Sequence, residues 1–298
     1  MAGAGLCEFE QFMKALPVNI RLPWGTLEAL HWSNPGAPKV LCLHGWLDNA
    51  ASFVPLSTHL QDFDLVALDF AGHGFSSHRP DTSRYYFPEN LFDVDAALDV
   101  LGWEKCHIIG HSMGGGVATG IAAASPERVD RVVSLDAVGI LTRPADQAAK
   151  QLRRSMKSVR KNSSLLRPYE SVEEAMRARQ QVSSMSDDAA RLICERALEH
   201  AGDYYQWRTD PRLNWSSPWL LTNEQVLNIL AAVRAPTLAI TSPSLIDFVG
   251  EEMLRKRLDA VANCTHISND GDHHFHMEQP APVGAQITEF LLTTGSKP

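Results

Sequence analysis

Cysteine, net positive charge and long apolar runs are all scarce in this sequence. Its 298 residues include five cysteines, Cys7, Cys42, Cys106, Cys194 and Cys264. Their number is odd and their spacing is not that of a metal site, so reduced thiols in a reducing compartment are expected. Basic residues are the minority, 27 against 35 acidic, for a formal net charge of −8. That balance argues against nucleic acid as the main partner, though not against local basic patches. No apolar run approaches the ~20 residues of a membrane span. The start, Met1 to Glu8, lacks the basic flank and apolar core of a secretory leader. The end, Gly295-Ser296-Lys297-Pro298, is not the peroxisomal S-K-L. There is no G-x-G-x-x-G and no Walker lysine–serine pair, so no cofactor is expected. A soluble, cytoplasmic protein with no membrane or nucleic-acid partner is the expectation, its oligomeric state left open.

What the chain does have is Gly110-His111-Ser112-Met113-Gly114. An apolar run, Cys106 to Ile109, precedes it, and a run of small residues, Gly115 to Ala124, follows. Strand, sharp turn and helix are the setting of a nucleophile elbow, in which a strained serine is flanked by glycines because a Cβ there would crowd the turn. Ser112 is the candidate nucleophile.

Further buried strands surround this one in the pattern. Val40 to Leu43 ends in His44-Gly45-Trp46, at the edge where an open α/β sheet places its ligands. The backbone N–H groups of Trp46 and Met113 are the candidate oxyanion donors, and His44 is read as orienting its loop. Phe63 to Phe70 leads into the turn Asp69 to Ser76, read as structural. An amphipathic helix is expected over 88–101 and a strand over 129–135, which ends in Asp136. A carboxylate there, one strand over from Ser112, can accept a histidine N–H. An antiparallel hairpin is expected over 16–32, on the edge of the sheet.

From 138 to 232 the pattern turns helical, with helices expected over 145–161, 171–185, 187–201 and 223–232. We expect a helical cap there, inserted into a core made of 1–137 and 233–298. Between Arg143 and Arg167 stand eight basic residues against one acidic, Asp146, which a solvated helix face accounts for. Tyr204, Tyr205, Trp207, Trp215 and Trp219 are candidates for the core of the cap, and some for the lining of a pocket. A lid in this place selects substrate shape and excludes water. Strands are expected again at 235–241 and 262–267, with helices at 251–258 and 283–292. Between them lies a histidine-rich loop, Asp270 to His276. A metal site from Asp270, Asp272, His273, His274 and His276 would need further ligands. A single catalytic histidine fits the serine and aspartate better, and no metal is expected.

Four motifs, the His44-Gly45 turn, Asp69-x-x-Gly72-His73-Gly74-x-Ser76, the Ser112 elbow, and Gly271-x-His273 with His276-x-x-x-Pro280, resemble the α/β-hydrolase superfamily over nearly the whole chain. Leu43–Phe53 and Gly72–His78 look most like its serine hydrolase-like branch. The resemblance implies a mostly parallel open sheet flanked by helices, with Ser112 as nucleophile and His273, counted back from Pro280, as general base. The family's acid usually follows the strand here ending near Thr241. This chain has Ser242-Pro243-Ser244-Leu245-Ile246 there, with Asp247 late. A minority of the family places the acid where this chain has Asp136, which is preferred, with Asp247 the alternative. The implied activity is acyl transfer on a small ester, thioester or lactone, and the cap aromatics suggest an apolar group on it. A lyase or C–C bond hydrolase, or a non-catalytic small-molecule binder, are the alternatives on the same scaffold.

Overall fold

The computed structural model describes residues 15–161 and 167–293. The terminal segments read above for targeting signals, and positions 162–166 of the basic stretch, lie outside the described residues.

The central strands are short, apolar and buried, as strands covered on both faces must be. They are β3 (Lys39–Leu43), β4 (Asp64–Leu68), β5 (Cys106–His111), β6 (Val129–Leu135) and β9 (Thr237–Thr241). With β1 (Leu16–Leu22), β2 (Gly25–Trp32) and β10 (Cys264–Ser268) they form an eight-stranded sheet in the order β1-β2-β4-β3-β5-β6-β9-β10. From β4 to β10 every pairing is parallel. The expected hairpin β1–β2 adds the antiparallel edge, in register from Leu16↔His31 to Leu22↔Gly25.

The pleat sends alternate side chains to two cores. Leu41, Leu43, Val66, Leu68, Ile108 and Val132 face α2 (Phe87–Val100) and α3 (Met113–Ala124). Val40, Cys42, Leu65, Ala67, Ile109 and Val133 face the short α1 (Val54–Ser57) and α11 (Pro280–Leu292). Truncating a fully buried leucine in such a layer to alanine costs about 2–5 kcal/mol. The sheet edge that carries β3, β5 and β6 is thereby held rigidly from both sides.

Between β6 and β9 come α4 (Ala148–Arg160), α5 (Val172–Gln180), α6 (Asp187–Ala197) and α7 (Asn223–Ala231). Side chains of Ser171, Ser186 and Thr222 cap α5, α6 and α7 by accepting N–H groups of their first turns. On α4, Lys150, Arg153, Arg154, Lys157 and Arg160 are all exposed, a solvated face as composition suggested.

Two expectations for this segment are corrected. The helix expected to run to Ala201 stops at Ala197. Leu198–Ala201 is strand β7, paired with β8 (Tyr204–Trp207) across Gly202-Asp203. Gly202 has φ 71°, the left-handed value that a two-residue hairpin turn opening on glycine needs. The helix expected to reach Met185 ends at Gln180, because the chain then turns back onto the core. Of the aromatic cluster, Tyr205 and Trp207 pack on Tyr169, whereas Tyr204 and Trp219 are exposed.

After β9 the chain forms α8 (Pro243–Val249) and α9 (Glu251–Ala260), and after β10 the single turn α10 (Phe275–Glu278). Among the described residues no helix is long and apolar enough to cross a membrane.

Candidate active site

Ser112 stands between β5 and α3 with φ 50° and ψ −114°, a conformation that L-residues rarely adopt. Two glycines make the turn possible. A Cβ on Gly110 would lie 2.2 Å from the Gly114 carbonyl oxygen, and one on Gly114 would lie 2.0 Å from that of Leu43. Neither backbone oxygen can move without breaking the sheet or the helix. The Ser112 N–H donates to Leu135 O at 2.9 Å, which ties the elbow to the end of β6.

Asp136 is the next residue along β6. It too has a positive φ, 52°, and its N–H donates to Ile240 O of β9 at 2.8 Å. Its side chain is buried and accepts three hydrogen bonds. His273 Nδ1 donates to Oδ2 at 2.6 Å, Ser242 N to Oδ1 at 2.7 Å, and Ser244 Oγ to Oδ2 at 3.3 Å. Burial alone would raise this carboxyl, but the bonds from His273 and Ser242 outweigh it and hold it below the ordinary value. The His273 side chain keeps 37% exposure, so its ring is open on one side while Asp136 anchors the other. Asp247 is elsewhere: it is exposed on α8.

His111, directly before Ser112, ties the histidine loop to the elbow. Its Nε2 lies 2.8 Å from the His273 carbonyl oxygen. A carbonyl only accepts, so that nitrogen carries the proton. Burial lowers the His111 pKa to about 4, so the ring is neutral.

The expected oxyanion donors lie at the start of α3 and in the loop after β3. Met113 opens α3, where its N–H has no intrahelical acceptor. Trp46 lies in the loop after β3, and among the described residues its N–H makes no hydrogen bond. His44 orients that loop: its ring is buried, Nδ1 donates to Gly45 O at 2.6 Å, and Nε2 accepts from Phe70 N at 3.0 Å. Both nitrogens are thus used by backbone, and burial keeps the ring below its usual pKa. Asp69 is structural as well. It accepts from Ala50 N, Phe75 N and Arg196, the last an ion pair between a fully buried carboxylate and α6.

Sequence reasoning missed a second buried cluster. Asp48, in the loop after β3, receives Arg179 Nη2 on Oδ1 at 2.6 Å and His274 Nε2 on Oδ2 at 3.2 Å. His111 Nδ1 lies 3.6 Å from the same Oδ2. Burial alone would raise the Asp48 carboxyl, but His274 and Arg179 together hold it well below the usual range. No periodicity reveals this cluster. The available hints were the position of Asp48 behind the His44-Gly45 turn and of His274 beside His273.

These contacts bear on metal binding. Among the described residues the Asp270–His276 loop does not bring its own ligand atoms together: His273 turns to Asp136, His274 to Asp48, and Asp272 to Ser184. Asp48, His111 and His274 do bring ligand atoms within 4.8 Å of one another. The guanidinium of Arg179 already balances Asp48 there, and a dication would face it at close range in a buried setting.

A strained serine on a strand–helix turn, on a mostly parallel sheet in this order, is matched by the family model for the α/β-hydrolase fold over residues 38–278. The chain belongs to the α/β-hydrolase family. Several relatives within it are serine hydrolase-like proteins. A Danio rerio serine hydrolase-like protein is 32% identical over 287 residues, spanning 91% of this chain and 86% of that protein. Among solved structures, the hypothetical protein PA1622 of Pseudomonas aeruginosa PAO1 superposes with a TM-score of 0.85 at 34% identity, covering 93% of this α/β-hydrolase and 99% of that chain. The thioesterase domain from the curacin biosynthetic pathway superposes with a TM-score of 0.80 at 22% identity, over 92% and 99% of the two chains. That last likeness is one of fold. Family and relatives together support a hydrolase.

Proposed function

We propose that this chain is a serine hydrolase that cleaves a small ester, thioester or lactone through an acyl-enzyme on Ser112. The observation that carries the reading is the 2.6 Å contact between His273 Nδ1 and Asp136 Oδ2, at the same sheet edge as the strained serine. A carboxylate accepts only, so it fixes the proton on Nδ1 and leaves Nε2 bare. Nε2 is then the base that takes the Ser112 hydroxyl proton as Oγ attacks the carbonyl carbon. Negative charge moves to the carbonyl oxygen, where the Trp46 and Met113 N–H groups receive it; a single such donor contributes roughly 2.7–4 kcal/mol of barrier lowering. The imidazolium formed on His273 is stabilised by Asp136 and returns its proton to the leaving alcohol or thiol. Water, deprotonated by the same nitrogen, then releases the acid and restores the serine. Residues 138–232 act as the cap over this edge, inserted between the two core segments 1–137 and 233–298.

A fluorophosphonate probe tests the reading. We expect covalent labelling of the native chain, its disappearance in Ser112→Ala, and turnover of p-nitrophenyl butyrate that tracks it. Folded native protein that the probe does not label would refute the reading in favour of a binding protein.

A further inference from the structure

We propose that Arg179 is a positioning residue that makes the alignment of His273 depend on a seated cap. The inference deepens the hydrolase reading above and rests on it.

The contacts run from the cap to the base in two lines. The first starts at Arg179, near the C-terminal end of α5. Its guanidinium reaches into the core and pairs with Asp48 at 2.6 Å, where both side chains are largely buried, 11% and 2% exposed. Asp48 in turn holds His274, the residue after the base, at 3.2 Å. The second line is the segment that follows α5. Ser183 Oγ bonds His274 Nδ1 at 3.1 Å, and Ser184 Oγ donates to Asp272 Oδ2 at 2.8 Å. Ser186 N donates to Glu278 Oε1 at 2.7 Å. Four residues of one eight-residue stretch of the cap, Arg179, Ser183, Ser184 and Ser186, thus grip both sides of His273.

Electrostatics makes Arg179 the decisive member. His111 Nε2 carries a proton for the His273 carbonyl, so in the neutral ring Nδ1 is a bare lone pair. That lone pair faces Asp48 Oδ2 at 3.6 Å. His274 Nε2–H offers one hydrogen bond, and a full balancing charge comes from Arg179. Without it, a buried carboxylate stands against a bare nitrogen, and removing one partner of a buried pair is the costly case. The response open to the site is movement of the Asp48 loop or of His274. Either shifts His273, whose carbonyl and neighbour are both tied to the cluster. A displacement of ~1 Å at a reacting group costs about 100-fold in rate. A cap that lifts removes Arg179 and the three loop bonds together. The base is therefore aligned when the cap is down and water excluded.

The test compares Arg179→Ala, Arg179→Lys and the double variant Ser183→Ala/Ser184→Ala with the native enzyme, each shown folded by its melting curve. Arg179→Ala is expected to lower kcat for p-nitrophenyl butyrate about 10–100-fold with KM changed less than threefold, and to slow fluorophosphonate labelling in step. Arg179→Lys keeps the charge and loses the planar fork, so it recovers part of kcat. The serine double variant leaves the ion pair in place and is expected to lose about 3–10-fold in kcat. A purely structural role would lower the melting temperature and leave kcat intact. Folded Arg179→Ala with kcat within twofold of native overturns the inference. If that variant does not fold, a serine double variant with native kcat overturns it. Native protein that neither labels nor turns over defeats the hydrolase reading instead.

Discussion

Replacing Asp136 by asparagine separates the two candidate acids and isolates one physical effect. The carboxylate accepts from His273 Nδ1 at 2.6 Å on Oδ2 and from Ser242 N at 2.7 Å on Oδ1. The amide has nearly the same shape. Its oxygen stays with the Ser242 N–H, which can only donate. Its NH2 then takes the place facing His273 and donates to Nδ1. The ring proton moves to Nε2, the nitrogen that should accept from Ser112, and the imidazolium loses its counter-charge. Loss of the useful tautomer with geometry intact lowers kcat about 10⁴-fold in the serine–histidine–aspartate template, or about 5.5 kcal/mol of barrier. The stability cost is smaller, about 1.5–3 kcal/mol for a hydrogen bond to a charged group. Asp247 is exposed on α8, and Asp247→Asn should stay within about twofold of native kcat. The assay is p-nitrophenyl butyrate turnover beside a melting curve for each variant. Folded Asp136→Asn that keeps more than a tenth of native kcat refutes the reasoning, as does a loss of orders of magnitude in Asp247→Asn.

The strain at the elbow predicts that Ser112→Gly melts higher than Ser112→Ala, by about 1 kcal/mol, since φ 50° is costly for any residue with a Cβ. Both variants should be inactive, and a glycine variant that melts at or below the alanine one contradicts the strain. Stability should also fall on mild acidification. Burial holds His44, His73, His111 and His276 below their ordinary pKa, His73 at about 3 and His111 at about 4. A depressed folded pKa gives stability that is complete above the unfolded value of ~6.5 and declines as pH drops towards the folded one, by up to about 1.4 kcal/mol per unit for each group. The melting temperature should therefore decrease steadily from pH 6.5 to 4, and a flat profile between pH 7 and 5 would count against neutral buried rings. Finally, Asp69→Ala strands the buried guanidinium of Arg196 and should cost about 3–5 kcal/mol in urea unfolding; a loss below 1 kcal/mol would show that the pair is dispensable.

The parts of this fold visible in the sequence are those in which one local pattern has one physical meaning. β3, β5, β6 and β9 read as strands because each is an apolar run of strand length bounded by glycine or proline. The elbow read as an elbow because the positions around Ser112 tolerate only glycine, as the 2.0 and 2.2 Å approaches at Gly114 and Gly110 show. The cap was harder. Helical spacing continued past Ala197, and only Gly202-Asp203 marked the hairpin that interrupts it. The Asp48 cluster was beyond reach, since Asp48, Arg179 and His274 stand far apart in the chain and meet through tertiary packing.

The position of the proposed acid follows from the sheet rather than from either strand. β6 and β9 are parallel neighbours with Leu135 opposite Ile240, so their carboxyl ends lie side by side. Adjacent strands are separated by about 4.8 Å, and a short side chain from either end can reach the same imidazole. In this chain the carboxylate stands at the end of β6, and the place after β9 holds Ser242 and Ser244. Those two residues direct an N–H and a hydroxyl onto Asp136. A carboxylate at both places would set two like charges in one buried site and raise the pKa of one of them. Donors after β9 instead lower the Asp136 carboxyl and fix its rotation towards His273. The missing aspartate after β9 and the aspartate after β6 are thus two halves of one arrangement, with the serines serving as its hydrogen-bond donors.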